Sequence, residues 1–175
     1  MSFQQSASQT VGPYFIIGLR NGVKTDLAGD APDAVVIRGQ VFDGLGAPVP
    51  DGVLEFWQAD ARGCYAENGD WGFARVPLDA DGRFELRTVR PGAVAGPQGA
   101  PQAPHLLVNV FMRGLLKHAC TRIYFDDEPR NAQDPILALV PSERRSTLLA
   151  VRSDDGSYRW DVHMQGARET AFLSY

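Results

Sequence analysis

Three histidines, His105, His118 and His163, and two cysteines, Cys64 and Cys120, are the side chains here best suited to bind a transition metal. Their spacing does not build a site. No two histidines fall at H-x-H or H-x-x-x-H, and two cysteines are too few for a four-thiolate zinc site or a disulfide framework. Asp126, Asp127 and Glu128 stand in a row and could attract a hard cation. They lack the alternating ligands and sharp glycine of a calcium loop, so a solvated acidic turn is expected. Tyr65 follows Gly63 and Cys64 in a loop, where a tyrosine usually packs its ring and leaves its hydroxyl wet. The sequence holds no G-x-S-x-G elbow, phosphate loop or dinucleotide fingerprint. Taken singly, these residues make no complete catalytic constellation.

The elements that would position them read mostly as strands. Val35–Phe42 is β-branched and aromatic, Asp43–Pro48 is a turn, and Val53–Trp57 is a second strand. The two are expected as a hairpin or as neighbours. The turn Asp79–Gly82 leads into Arg83–Val89, where Phe84, Leu86 and Thr88 share a face at a period of two. Arg90–Pro104 is rich in Gly and Pro and reads as a long, functional loop. His105–Met112 and Thr121–Phe125 are strands, and a lone His105 at the head of an apolar strand is more simply structural. His118 falls in a polar turn. Residues 134–150 look locally helical, with a short helix capped at Ser142. Tyr158, Trp160, Val162 and Met164 share the inner face of the last strand, which turns His163 to solvent or the far side. The fold class is therefore all-β: an antiparallel β-sandwich with long loops, an N-terminal arm and one or two short helices. The arm covers residues 1–34 and a single sandwich domain covers 35–175.

Bulk properties agree. The 175 residues hold 18 Gly and 12 Pro, which favours short strands joined by turns. A net charge of −4 argues against a binder of nucleic acid or anionic membrane. No apolar run approaches the roughly 20 residues that span a bilayer. With no secretory pattern at the N-terminus and two cysteines, a cytoplasmic location is expected.

Ordered blocks say more than single residues. They are Ser8-Gln9-Thr10-Val11-Gly12-Pro13-Tyr14, Gly39–Asp43, Glu55–Asp60, Phe84–Gly92, Ala103-Pro104-His105 and Thr121–Phe125. Together they resemble the intradiol ring-cleavage dioxygenases, in order and at that family's spacing over nearly the whole chain. The resemblance implies a ferric ion that active members hold with two Tyr and two His. The first Tyr falls on Tyr65, eight residues after Trp57, and the second on Val94, two residues after the Pro91-Gly92 pair. The histidines fall on His105 and Leu107. An Arg that looks important for stabilising the reacting substrate falls on Gln102. Val and Leu offer no lone pair, so no iron is expected on this chain. Tyr65 and His105 are left as remnants expected to hydrogen-bond each other.

With this pattern of loss, the resemblance implies an iron-free paralogue inside a heteromer. The homologous partner, a β subunit, would carry Fe(III), and 3,4-dihydroxybenzoate and O2 would be the substrates. Thr10, Gly12, Pro13 and Tyr14 of the arm, and Arg113 in Phe111-Met112-Arg113-Gly114, would then line the partner's pocket or the interface. An ordinary interface salt bridge is the plainer role for Arg113. One alternative is a β-sandwich binding or scaffold protein with no dioxygenase partner. Another is a divergent enzyme that uses His118 or His163.

Overall fold

A computed structural model describes residues 10–12, 14–67, 69, 71–96 and 99–174. Its strands are β1 (Ala34–Phe42), β2 (Val53–Gln58), β3 (Phe73–Pro77), β4 (Arg83–Val89), β5 (Val94–Ala95), β6 (Pro101–Gln102), β7 (His105–Phe111), β8 (Ala119–Phe125), β9 (Leu149–Arg152), β10 (Tyr158–Arg159) and β11 (Val162–His163). One half of the fold is the antiparallel ladder β3–β2–β7–β8. The other half is β1, antiparallel to β4 on one edge and parallel to β10 and β11 on the other. Strand β9 joins the halves, parallel to β8 and antiparallel to β10. The sandwich is thus mainly antiparallel, with parallel pairings where the chain returns near its end.

Alternation explains the core. In β4, Phe84, Leu86 and Thr88 are buried while Arg83 and Glu85 are exposed. Leu54 and Phe56 of β2 and Val108 and Val110 of β7 meet Ile37 and Val41 of β1 across the interior. Aromatic rings bridge the layers: Phe56 lies 5.8 Å from Phe84, and Phe84 meets Trp160 edge-on at 6.3 Å. Tyr158, Trp160 and Val162 are buried, and Met164 packs partly buried against them. Strand pairing breaks at Trp160, whose carbonyl sits where a Cβ on Gly39 would be. Glycine at 39 is what allows the two backbones that close an approach.

Several elements differ from the sequence reading. Strands β1 and β2 are not paired. Residues 42–48 fold tightly on themselves, with Asp43 N donating to Ala47 O at 2.9 Å, and the chain then crosses to the opposite half. The inner faces of β1 and β2 therefore oppose each other through the core instead of sharing an edge. Strand β3 is additional. The Arg90–Pro104 loop contains the small β5–β6 pair, in which Val94 is opposite Gln102. Residues 134–150 form 3-10 turns at Leu137–Leu139 and Ser142–Leu148, and then enter β9. Pro141, not Ser142, occupies the cap position there; the Ser142 hydroxyl meets the Glu143 carboxylate at 3.3 Å. His163 is half-buried and stacks on Phe42 at 4.9 Å.

Among the described residues, the arm carries one five-residue α-helix, α1 (Phe15–Leu19). Beyond it, Lys24 exchanges backbone hydrogen bonds with Arg75 of β3 at 3.0 and 3.1 Å. Leu27 N donates to Arg87 O of β4 at 2.8 Å, and Arg87 N donates to Thr25 O at 2.9 Å. The segment thus satisfies edge groups of β3 and β4, the outer strands of the two halves, and buries Leu27 between them.

A polar clasp crosses the layers. Buried Gln58 of β2 accepts the Thr88 hydroxyl at 2.7 Å and donates to Val89 O at 2.9 Å and Ala59 O at 3.2 Å. Replacing Gln58 by Leu keeps the volume and strands these partners, so a loss of about 2 kcal/mol is expected in urea unfolding. An unchanged midpoint would show that the clasp is energetically idle.

Candidate functional site

The positions singled out in the sequence gather at the two ends of β7. At its first end, Pro104 delivers the chain into the strand at His105, whose side chain is only 3% exposed. Its Nδ1 lies 2.7 Å from Ala103 O, and its ring tilts against Tyr124 at 5.7 Å. Strand register explains the second contact, since His105 is opposite Tyr124 and Leu107 is opposite Arg122.

Arg122, 7% exposed, reaches from β8 toward β6. Its Nη1 donates to Gln102 Oε1 at 2.6 Å and to the Tyr124 hydroxyl at 3.3 Å. That hydroxyl donates onward to Asp134 Oδ1 at 3.1 Å. Asp134 also accepts Ala103 N at 2.7 Å, Ile136 N at 2.9 Å and Leu137 N at 2.7 Å. Gln102 Nε2 donates to Ala95 O at 3.2 Å, which ties the β5–β6 pair to the network. A buried cation and a buried anion are thereby linked through one phenol.

Electrostatics follow from this layout. Burial, then the positive charge of Arg122, pushes the His105 pKa down to about 4, against weaker opposing pulls from Ala103 O and Asp134. His105 is therefore a neutral imidazole at pH 7. Burial likewise raises the Tyr124 phenol well above its ordinary value.

The remaining positions of the set lie close by. Val94 is buried, opposite Gln102. Leu107 is half-buried, opposite Trp57 on one side and Arg122 on the other. The Tyr65 ring stacks nearly parallel on Trp57 at 6.1 Å. The described ring contacts of Tyr65 and His105 are thus with Trp57 and Tyr124 respectively. A ferric ion does not fit this set. Val94 and Leu107 have no donor atom, which leaves one phenol and one imidazole of the expected four ligands. Among the described residues, no three His, Cys, Asp or Glu converge to hold a metal.

Arg122, Tyr124 and Asp134 were not apparent as site residues in the sequence. A period of two turns Arg122 and Tyr124 to the outer face of β8, but the β5–β6 pair and the 3-10 turns cover that face. The one available signal was an arginine inside the otherwise buried run Thr121–Phe125. Beside Leu107, a shallow groove of about 280 Å³ follows the outer face of the ladder between Trp57, Phe73, Asn109 and Cys120.

The arm sits at the other end of β7. Phe15 of α1 packs on Phe111 at 6.3 Å, and exposed His118 stacks on the same ring at 5.2 Å. Arg113, two residues on, is exposed and ion-paired with Asp51. Thr10 and Gly12 are exposed, and Tyr14 is 77% exposed. Pro13, Ser8 and Gln9 lie outside the described residues. Six residue steps along β7 separate His105 from Phe111, about 20 Å of extended chain. Phe15 and His105 therefore lie at opposite ends of one strand.

The family model described as "Dioxygenase" matches residues 12–166. The chain is 45% identical to the protocatechuate 3,4-dioxygenase alpha chain of Burkholderia cepacia, with 98% of each chain covered. It is 41% identical to the alpha chain from Pseudomonas putida, covering 98% of this chain and 96% of that one. The beta chain of the Burkholderia cepacia enzyme is 29% identical over 79% of this chain and 67% of its own. Among solved structures, the dioxygenase domain of a dioxygenase carbohydrate-binding protein fusion from Streptomyces sp. SirexAA-E superposes with a TM-score of 0.68. It is 28% identical, covering 85% of this chain and 89% of that one.

The neutral His105 makes stability depend on pH. Unfolded, its imidazole takes up a proton near 6.5; folded, only near 4. The associated stability is fully present above about pH 6.5 and is lost as the pH falls toward 4. Between pH 7 and 5 the native chain should lose about 2 kcal/mol from this group, and His105→Gln should remove that part of the slope. Parallel stability–pH curves for the two proteins would exclude His105 as its source.

Proposed function

The chain belongs to the intradiol dioxygenase family, and on that premise we propose that it is the iron-free, alpha-type member of a heteromeric protocatechuate 3,4-dioxygenase. Its partner is a homologous beta-type chain that carries Fe(III). Together they cleave the ring of 3,4-dihydroxybenzoate between the two hydroxyl-bearing carbons. Both atoms of O2 enter the product, 3-carboxy-cis,cis-muconate, in the β-ketoadipate route of aromatic catabolism. The cofactor's redox chemistry belongs to the partner, and no step of it passes through the residues of this chain. Free Cys64 and Cys120 suit a reducing cytoplasm.

The separation along β7 carries this reading. Phe15, where the arm meets the sandwich, packs at the Phe111 end of β7, about 20 Å of extended chain from His105. On this reading Thr10, Gly12, Pro13, Tyr14 and Arg113 act on the small aromatic acid in the pocket of the partner chain. Gly12 suits a pocket wall, since its backbone can approach a flat ring with no side chain between. Thr10 offers a hydroxyl, and Arg113 a cation for a carboxylate or for the partner surface. Tyr65, Val94, Gln102, His105 and Leu107 remain as the altered metal site. A scaffold role without a dioxygenase partner gains nothing from the end-to-end match to alpha chains.

Gly12 gives a clean test, because a Cβ built on it meets nothing within 4 Å among the described residues. Gly12→Val should leave the heteromer's size on gel filtration unchanged. It should lower kcat/KM for 3,4-dihydroxybenzoate by roughly tenfold or more, as a misplaced pocket wall does. Wild-type kinetics would take the arm out of the pocket. Arg113 is tested against its ion-pair partner. If it contacts substrate, Arg113→Ala raises KM and Asp51→Asn does not. If it only braces the loop through Asp51, the two variants behave alike.

A further inference from the structure

Phe111 ends β7 at the point where two strand registers run out. Extended by one pair, the β7–β8 register sets His118 opposite Phe111, and the two rings stack at 5.2 Å. The β2–β7 register sets Val53 opposite Phe111. Carried two residues further, it sets Asp51 opposite Arg113, where their ion pair forms. Phe15 of α1 packs on the Phe111 ring at 6.3 Å, and its backbone N–H donates to Gly12 O at 3.1 Å. On the heteromeric reading above, we propose that Phe111 is a positioning residue for the reaction: through Phe15 it fixes where Gly12 stands relative to Arg113 in the partner's pocket.

The arm needs such an anchor. A helix of five residues is far too short to hold itself in water, so the seat of α1 depends on tertiary contact. Its neighbours Tyr14 and Ile17 are exposed. Backbone pairing of the arm with β3 begins at Lys24, and upstream of that point the Phe15 ring on Phe111 ties α1 to the sandwich. The tilt of 39° between the two rings suits the quadrupoles of an aromatic pair. From Phe15 the link to Gly12 is a single backbone hydrogen bond, so a shift of the ring carries the glycine with it. Arg113 is held separately by Asp51. Leu at 111 would keep apolar bulk but lose the flat face that Phe15 and His118 share. A displacement of about 1 Å in a group that positions substrate can cost up to about a hundredfold in rate.

The test uses the reconstituted heteromer and 3,4-dihydroxybenzoate. Phe111→Leu should lower kcat/KM roughly tenfold, with the complex's size on gel filtration and the partner's iron content unchanged. Phe111→Tyr keeps the ring and should stay within about twofold of wild type; a loss equal to that of Phe111→Leu overturns the role. Phe15→Leu removes the same contact from the arm's side and should match Phe111→Leu. Because Phe111 acts through the arm, its loss adds little once the arm is already altered. Phe111→Leu with Gly12→Val should therefore be no more than about twofold worse than Gly12→Val alone. Losses that multiply in the double variant overturn the role, since they mark Phe111 as a general packing residue. Wild-type kinetics for Phe111→Leu beside an impaired Gly12→Val overturn the role and leave the pocket reading standing. Wild-type kinetics for Gly12→Val overturn the pocket reading, and this role with it. Should Phe111→Leu fail to assemble, Phe15→Leu carries the same comparison. Failure of both to assemble assigns the ring to docking alone and overturns the role.

Discussion

The buried carboxylate of Asp134 organises one end of this molecule. It is 1% exposed and accepts hydrogen bonds from Ala103 N, the Tyr124 hydroxyl, Ile136 N and Leu137 N. Those donors come from the entry to β7, from β8 and from the 3-10 turn at Leu137–Leu139. Burying a carboxylate is costly, and its energetics turn favourable only when nearly every acceptor site is filled. This requirement fixes the turn after β6, the register of Tyr124 against His105, and the depth of Arg122. The second hydrophobic cluster, which includes Ala103, Tyr124, Leu137 and Leu148, packs around the same node.

Much of the fold was legible in the sequence, and the limits have physical causes. β1, β4, β7 and β8 were read from alternation and β-branched content, because each buries a face against the core. Their pairing was not, since alternation says which face is inside and nothing about which edge is met. β1 and β2 oppose each other through the core for this reason. Residues 134–150 carry apolar spacing suited to a helix, but Pro135 and Pro141 hold them to short 3-10 turns.

At the site, the two ends of β7 were legible for different reasons. Tyr65, Val94, Gln102, His105 and Leu107 were singled out by the order of blocks alone. The network of Gln102, Arg122, Tyr124 and Asp134 was not legible. It depends on a second layer covering β8, and period-of-two reasoning assigns Arg122 and Tyr124 to water. A buried ion pair joined by a phenol has no local sequence signature; it exists only through contacts such as Gln102 to Arg122, 20 residues apart.

The arm's attachment to β3 and β4 bears on how the chain reaches its final form. Lys24 bridges to Arg75, and the Asp26 carboxylate meets Arg87 across 61 residues. Both partners emerge from the ribosome long after the arm does. Closing contacts of this sequence separation comes late in folding, when the strands that receive them already exist. The segment made early is thus seated late, when both halves of the sandwich are formed. A heteromer that recruits its member through this segment would discriminate finished chains from unfinished ones without a separate checking step.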